Sequence, residues 1–158
     1  IARDVDDGKA RMKHALESGA GLAKLKEMIA AQGGDAGVCD DVTRLPQAKH
    51  LVPVPAPHDG YVADMDTTAI GYCAHDLVAG RKQKTDVIDP AVGLVMNVRI
   101  GDFVKQGDAL ATLHLNKPEQ AERAIARMQQ AVKLTADKPA IPPLVYASVS
   151  PEGVARGM

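Results

Sequence analysis

Three prolines at alternate positions restrict this chain more than any other feature. In His50-Leu-Val-Pro-Val-Pro-Ala-Pro57, each ring holds φ near about −65° and pushes the preceding residue into the extended or polyproline region. No helix can form there. Proline also lacks an N–H, so the segment can sit only at the edge of a sheet or in a linker. We expect a stiff interdomain strap in preference to a ligand for an aromatic-lined groove.

Upstream of this run the pattern is helical. From Asp6 to Ser18 the apolar residues Ala10, Met12, Ala15 and Leu16 fall mainly on one side of a helix, and Gly19 is a stop. Leu22, Leu25, Met28 and Ile29 recur at three- and four-residue steps until Gly33 and Gly34. Two short amphipathic helices bury too little surface to be stable alone. They are expected to pack on the following domain or on polypeptide preceding Ile1. The first residue, Ile rather than Met, raises the same expectation, with ordinary processing as the alternative. Asp35 to Ala48, with Asp40, Asp41 and Pro46, reads as an irregular connection holding a domain boundary.

Downstream the pattern turns to strands. Asp59 to Met65 reads as a strand, and Thr67 to Val78 as a helix capped by Thr67 or Thr68, with Ile70, Cys73, Ala74 and Leu77 as its buried stripe. Gly80 ends that helix. Val92 to Ile100 reads as a strand, Gly101-Asp102 as a turn and Ala109 to Leu115 as another strand, with a further helix beginning near Pro118.

Composition excludes several function classes. With 46% hydrophobic residues, 158 residues can bury the core of one domain, or of a small domain plus an appendage. Nineteen basic and twenty acidic side chains leave no broad cationic surface for nucleic acid or an anionic membrane. No apolar run is long enough to span a bilayer, and no signal-peptide order opens the chain. A cytoplasmic location is expected. Cys39 and Cys73 fit two reduced thiols there.

The inventory of chemistry is equally spare. No glycine-rich phosphate turn, nucleophile triad or metal-ligand spacing is present, and His75 reads as a structural histidine. No catalytic, substrate-binding or metal-binding residue is assigned to this chain, and no cofactor. One cluster stands apart: Gly80-Arg-Lys-Gln-Lys84 carries three cations beside a helix C-terminus. It could neutralise a phosphate, although complementing the helix dipole is its expected use.

Two resemblances bear on fold and function. Asp59-Gly-Tyr-Val62 together with Val104-x-x-Gly-Asp-x-Leu110 resembles the barrel-sandwich hybrid of biotinyl and lipoyl domains. A carrier domain displays its modified lysine at a hairpin tip, whereas Lys117 here runs into Pro118 and a helix, which argues against that role. The more specific resemblance lies in Ala79-Gly-Arg-Lys-Gln-Lys-Thr-Asp-Val-Ile-Asp89, Ala91-Val-Gly93 and Ile100-Gly-Asp102. These blocks are similar to the C-terminal signature of bacterial pyrimidine-nucleoside phosphorylases. Ala30-Ala-Gln-Gly-Gly-Asp35 and Leu45-Pro-Gln-Ala48 resemble that family's connector, and the likeness covers most of Ala10 to Leu134.

The resemblance implies phosphorolysis of a pyrimidine nucleoside, giving the base and a pentose 1-phosphate. In the family the groups that hold phosphate and nucleoside belong to sequence upstream of Ile1, so none carries over to a residue here. The expected fold is α+β: two N-terminal helices remaining from an α/β lobe, then a barrel-sandwich module with packing helices. The expected divisions are residues 1–48 as helical remnant and connector, 49–149 as the C-terminal α+β domain, and 150–158 as a variable tail. The implied partner is the upstream remainder of the enzyme, its N-terminal helical lobe and α/β domain. The implied full-length enzyme is a homodimer, and this chain alone is expected to be inactive. The alternative is a stand-alone structural or carrier-like barrel-sandwich module.

Overall fold

Chemistry at the helix ends explains where the first elements begin. The computed structural model describes residues 2–77 and 88–156. Helix α1 spans Val5–Glu17 and is capped by Asp4, whose carboxylate accepts the Asp7 N–H at 2.8 Å. Helix α2, Ala20–Ala31, starts after Gly19, whose φ of 75° suits a residue without Cβ. Short 3₁₀ turns at Ala36–Cys39 and Val42–Arg44 fill the connection, each opened by an aspartate that accepts a backbone N–H. Neither α1 nor α2 buries a residue, and Met12, Leu16, Leu22 and Met28 are exposed. Ile1–Gln47 forms one compact unit and Ala48–Met158 a second.

In the second unit, strands β1 (His50–Pro55), β2 (Gly60–Met65), β3 (Gly93–Met96), β4 (Phe103–Val104), β5 (Ala109–Leu115) and β6 (Val132–Thr135) are joined by helices α3 (Thr67–Leu77) and α4 (Ala121–Ala131). A last pair, β7 (Ala147–Ser150) and β8 (Gly153–Arg156), forms its own hairpin. One antiparallel sheet has the order β1-β5-β3 and the other β4-β2-β6. The described residues are thus α+β, with small sheets and no closed barrel.

The proline run becomes β1, an edge strand paired with β5 from His50↔Leu115 to Pro55↔Ala109, with a register break between Val54 and Pro55. The strap expectation is corrected: of the two placements open to a strand lacking N–H groups, the sheet edge is taken. Central β5 contributes Leu110, Ala111, Leu113 and Leu115 to the core, with Val54 of β1 and Val62 of β2. The inner face of α4 adds Ala124, Met128 and Ala131, at helical spacing.

Two Gly-Asp turns fasten the outer segments to these strands. Gly101 N–H donates to the Val62 carbonyl at 2.8 Å, and Val62 N–H to the Asp102 carbonyl at 2.9 Å. Gly107 N–H likewise donates to the Ala56 carbonyl at 2.9 Å, and Ala56 N–H to the Asp108 carbonyl at 2.8 Å. In both turns the aspartate carboxylate accepts the N–H three residues earlier, from Arg99 and from Lys105, at 2.8 Å.

Two local expectations change. The strand expected over Val92 to Ile100 is shorter: β3 ends at Met96. Val98 is still buried, but the chain there has left the first sheet for the Gly101 turn. Helix α3 is capped by Asp66 rather than by Thr67 or Thr68. Its carboxylate accepts the Ala69 N–H at 2.8 Å, while its own N–H is held by the Ala131 carbonyl. The β7–β8 hairpin gives 147–156 regular structure.

Candidate functional site

Helices α3 and α4 pack so that Cys73 and Leu77 meet Ala124, all three buried. Beside this contact opens a cleft of about 320 Å³, whose charged wall includes Asp76, Glu119, Arg123 and Arg127. Arg127 pairs with Asp76 and so ties the two helices together. His75 lies with its Nδ1 at 3.8 Å from Asp76 Oδ1 and is otherwise exposed.

The Cys73 thiol faces the Ala124 carbonyl at 3.8 Å. Burial pushes its pKa up, Arg127 counters this and Asp76 adds to it. A thiol so placed is kept protonated and is a poor nucleophile. The wall carries two carboxylates against two guanidinium groups, so the cleft is electrically balanced. Among the described residues no group of three or more His, Cys, Asp or Glu side chains could hold a metal ion.

A second constellation joins segments far apart in sequence. Asn116 follows β5. Its Nδ2 donates to Asp89 Oδ2 at 2.6 Å, and its Oδ1 accepts the Lys49 N–H at 2.9 Å. Asp89 also accepts the Ala91 N–H at 3.0 Å. One asparagine therefore pins the start of β1 and the segment entering β3 to the end of β5. The Ala91 N–H and then the Asn116 amide hold the Asp89 carboxyl below the usual carboxylate range, and the Lys49 charge helps.

This linkage sets an acid dependence. An unfolded aspartate takes up its proton near pH 3.9, while folded Asp89 does so lower, so the unfolded state binds more protons in between. The stabilisation from Asp89 is complete above the unfolded pKa and is lost as the pH falls through the folded one. In urea titrations at about pH 5 and about pH 3, stability is expected to fall less between the two in Asp89→Asn than in the parent. Identical falls would show that Asp89 is not linked to folding.

The residues singled out in sequence fall in different places. Cys73 and His75 both line the α3–α4 cleft, without a catalytic arrangement. Cys39 ends a 3₁₀ turn of the first unit. Lys117 precedes the 3₁₀ turn Pro118–Gln120 that leads into α4, away from any hairpin tip. The basic cluster Gly80 to Lys84 lies outside the described residues. Sequence reading missed the roles of Asn116 and Asp89, because no periodicity links positions 27 residues apart. The one signal was Asp89-Pro-Ala, a turn-forming triplet.

Comparison with known proteins gives these sites a context. Residues 61–135 match the family model described as the pyrimidine nucleoside phosphorylase C-terminal domain. The chain is 37% identical over 149 residues to a pyrimidine-nucleoside phosphorylase of Geobacillus stearothermophilus, covering 94% of this chain and 34% of that one. Over the same spans it is 34% identical to the pyrimidine-nucleoside phosphorylase of Bacillus subtilis strain 168, and 36% to that of Staphylococcus aureus strain USA300. It therefore spans about a third of the length of the curated relatives it matches. The matched domain begins within β2 and ends with β6, taking in the Gly101 and Gly107 turns, β5 and Asn116, and on these grounds the chain carries a pyrimidine nucleoside phosphorylase C-terminal domain.

Proposed function

We propose that this chain is the part of a pyrimidine-nucleoside phosphorylase that closes over the substrates rather than reacting with them. One observation carries the reading: the phosphorylase C-terminal domain match ends where β6 ends and takes in most of the buried core. In the reaction, phosphate attacks the anomeric carbon of the nucleoside and the pyrimidine departs. Cations and oriented donors must surround both substrates. We assign those groups to sequence outside this chain, which leaves closure, exclusion of water and positioning to this one. The exposed apolar residues of α1 and α2 would be covered by the enzyme's α/β domain. In this reading the enzyme is a cytoplasmic homodimer formed through its helical lobe.

The barrel-sandwich likeness belongs to the same proposal. The Gly101 and Gly107 turns lie six residues apart, and the residues they hold, Val62 and Ala56, are also six apart. That repetition supports two similar halves, as a sandwich hybrid requires. The stand-alone carrier alternative is disfavoured by Lys117, which leads into a 3₁₀ turn.

The test is to join this chain to the portion of the Geobacillus stearothermophilus relative that it lacks. The joined protein is expected to release uracil from uridine only when phosphate is present, and the chain alone to release none above background. Release by the chain alone, or a folded but inert joined protein, overturns the reading.

A further inference from the structure

Residues 139–155 have the composition of buried polypeptide and the exposure of a surface loop. Across these seventeen positions the only charged side chain is Glu152, while a quarter of the whole chain is charged. Yet Ile141, Leu144, Tyr146, Val149 and Val154 are all exposed, Leu144 at 98% and Val149 at 79%. Such a concentration of apolar side chains marks a surface that is covered in the working protein.

The hairpin at the end of this segment points the same way. Strands β7 and β8 pair with each other and, among the described residues, with no other strand. Val149 lies opposite Val154, so the two form one apolar face. A two-stranded hairpin is marginal in water and needs further strands or a packed face to persist.

The comparisons indicate what covers it. The family model stops at Thr135, so this segment lies outside the matched domain. The relatives nonetheless match 149 of the 158 residues, leaving nine. Even if all nine lay at the C-terminal end, the match would reach residue 149 and include most of the segment. Positions shared with whole phosphorylases, but outside the domain itself, fit a partner elsewhere in those proteins. About two thirds of the relatives' length has no counterpart in this chain.

We propose that residues 139–155 are a docking arm, whose Val149–Val154 face and open strand edges are covered by the portion of the phosphorylase outside this chain. The proposal rests on the reading that the chain works as part of such an enzyme. Docking would combine strand addition at a hairpin edge with burial of the valine pair.

Hydrogen exchange tests it, comparing the chain alone with the joined protein described above. Amides of β7 and β8 are expected to exchange at least about tenfold more slowly in the joined protein, and Val149→Asp is expected to abolish that protection. Equal exchange in both proteins overturns the proposal. So does protection in the chain alone that grows with its concentration, since a second copy would then be the occupant. Uridine cleavage by the same joined protein reports separately on function: an active protein with an unprotected arm sinks the docking proposal and leaves the phosphorylase reading standing.

Discussion

Truncating Leu113 to alanine is expected to destabilise the second unit by about 3 kcal/mol, within a range of roughly 2–5 kcal/mol for buried leucines. Leu113 sits in the middle of β5, the strand with partners on both sides, opposite Val52 of β1 and Leu94 of β3. It is fully buried in a core that also contains Val54, Val62 and Met128. The substitution removes apolar area and leaves a cavity that a doubly paired strand cannot easily close. For a unit of this size the midpoint of thermal unfolding should fall on the order of 10 °C. Leu144→Ala is the control: that side chain is 98% exposed, so its loss should change stability by no more than about 0.5 kcal/mol. Similar urea midpoints for the two variants would contradict the central place of β5.

Gly101→Val should come second, at about 3 kcal/mol. Two costs add. Gly101 has φ of 94°, where a β-branched residue is strained. A Cβ built there would also lie 2.9 Å from Cδ1 and Cγ1 of Ile141, so that side chain must move. Gly107 separates the two costs, because its φ is 91° and nothing lies within 4 Å of a Cβ built on it. Gly107→Val should therefore be the milder variant, carrying the backbone strain alone. Equal losses in urea titrations would mean that Ile141 is not seated over the Gly101 turn.

What could be read in the sequence follows from which forces are local. The prolines of β1 restricted that strand to an edge or a linker before any partner was known, since a missing N–H is a property of the residue itself. Ala109 to Leu115 was legible as a strand because small and branched residues there are bounded by Gly107-Asp108 and Pro118. Long-range pairing was not legible. Burial periodicity continued through Val98, so the expected strand ran on to Ile100, yet periodicity cannot say where a chain changes sheets. The Asp66 cap was missed for a related reason: its N–H is fixed by Ala131, a contact made only after folding. The Asn116 junction likewise depends on three segments meeting.

The ordering of donors along β1 has a consequence for behaviour at high concentration. Pro53 and Pro55 offer no N–H on the side facing away from β5, and the Pro55 carbonyl is taken by Gln129 Nε2 at 2.8 Å. A foreign strand arriving at that edge finds too few partners to extend the ladder. The first sheet thus resists templating of cross-chain fibrils on its β1 side without spending a charged residue there, so while the sheet is folded the protection of that flank comes from the backbone and not from charge.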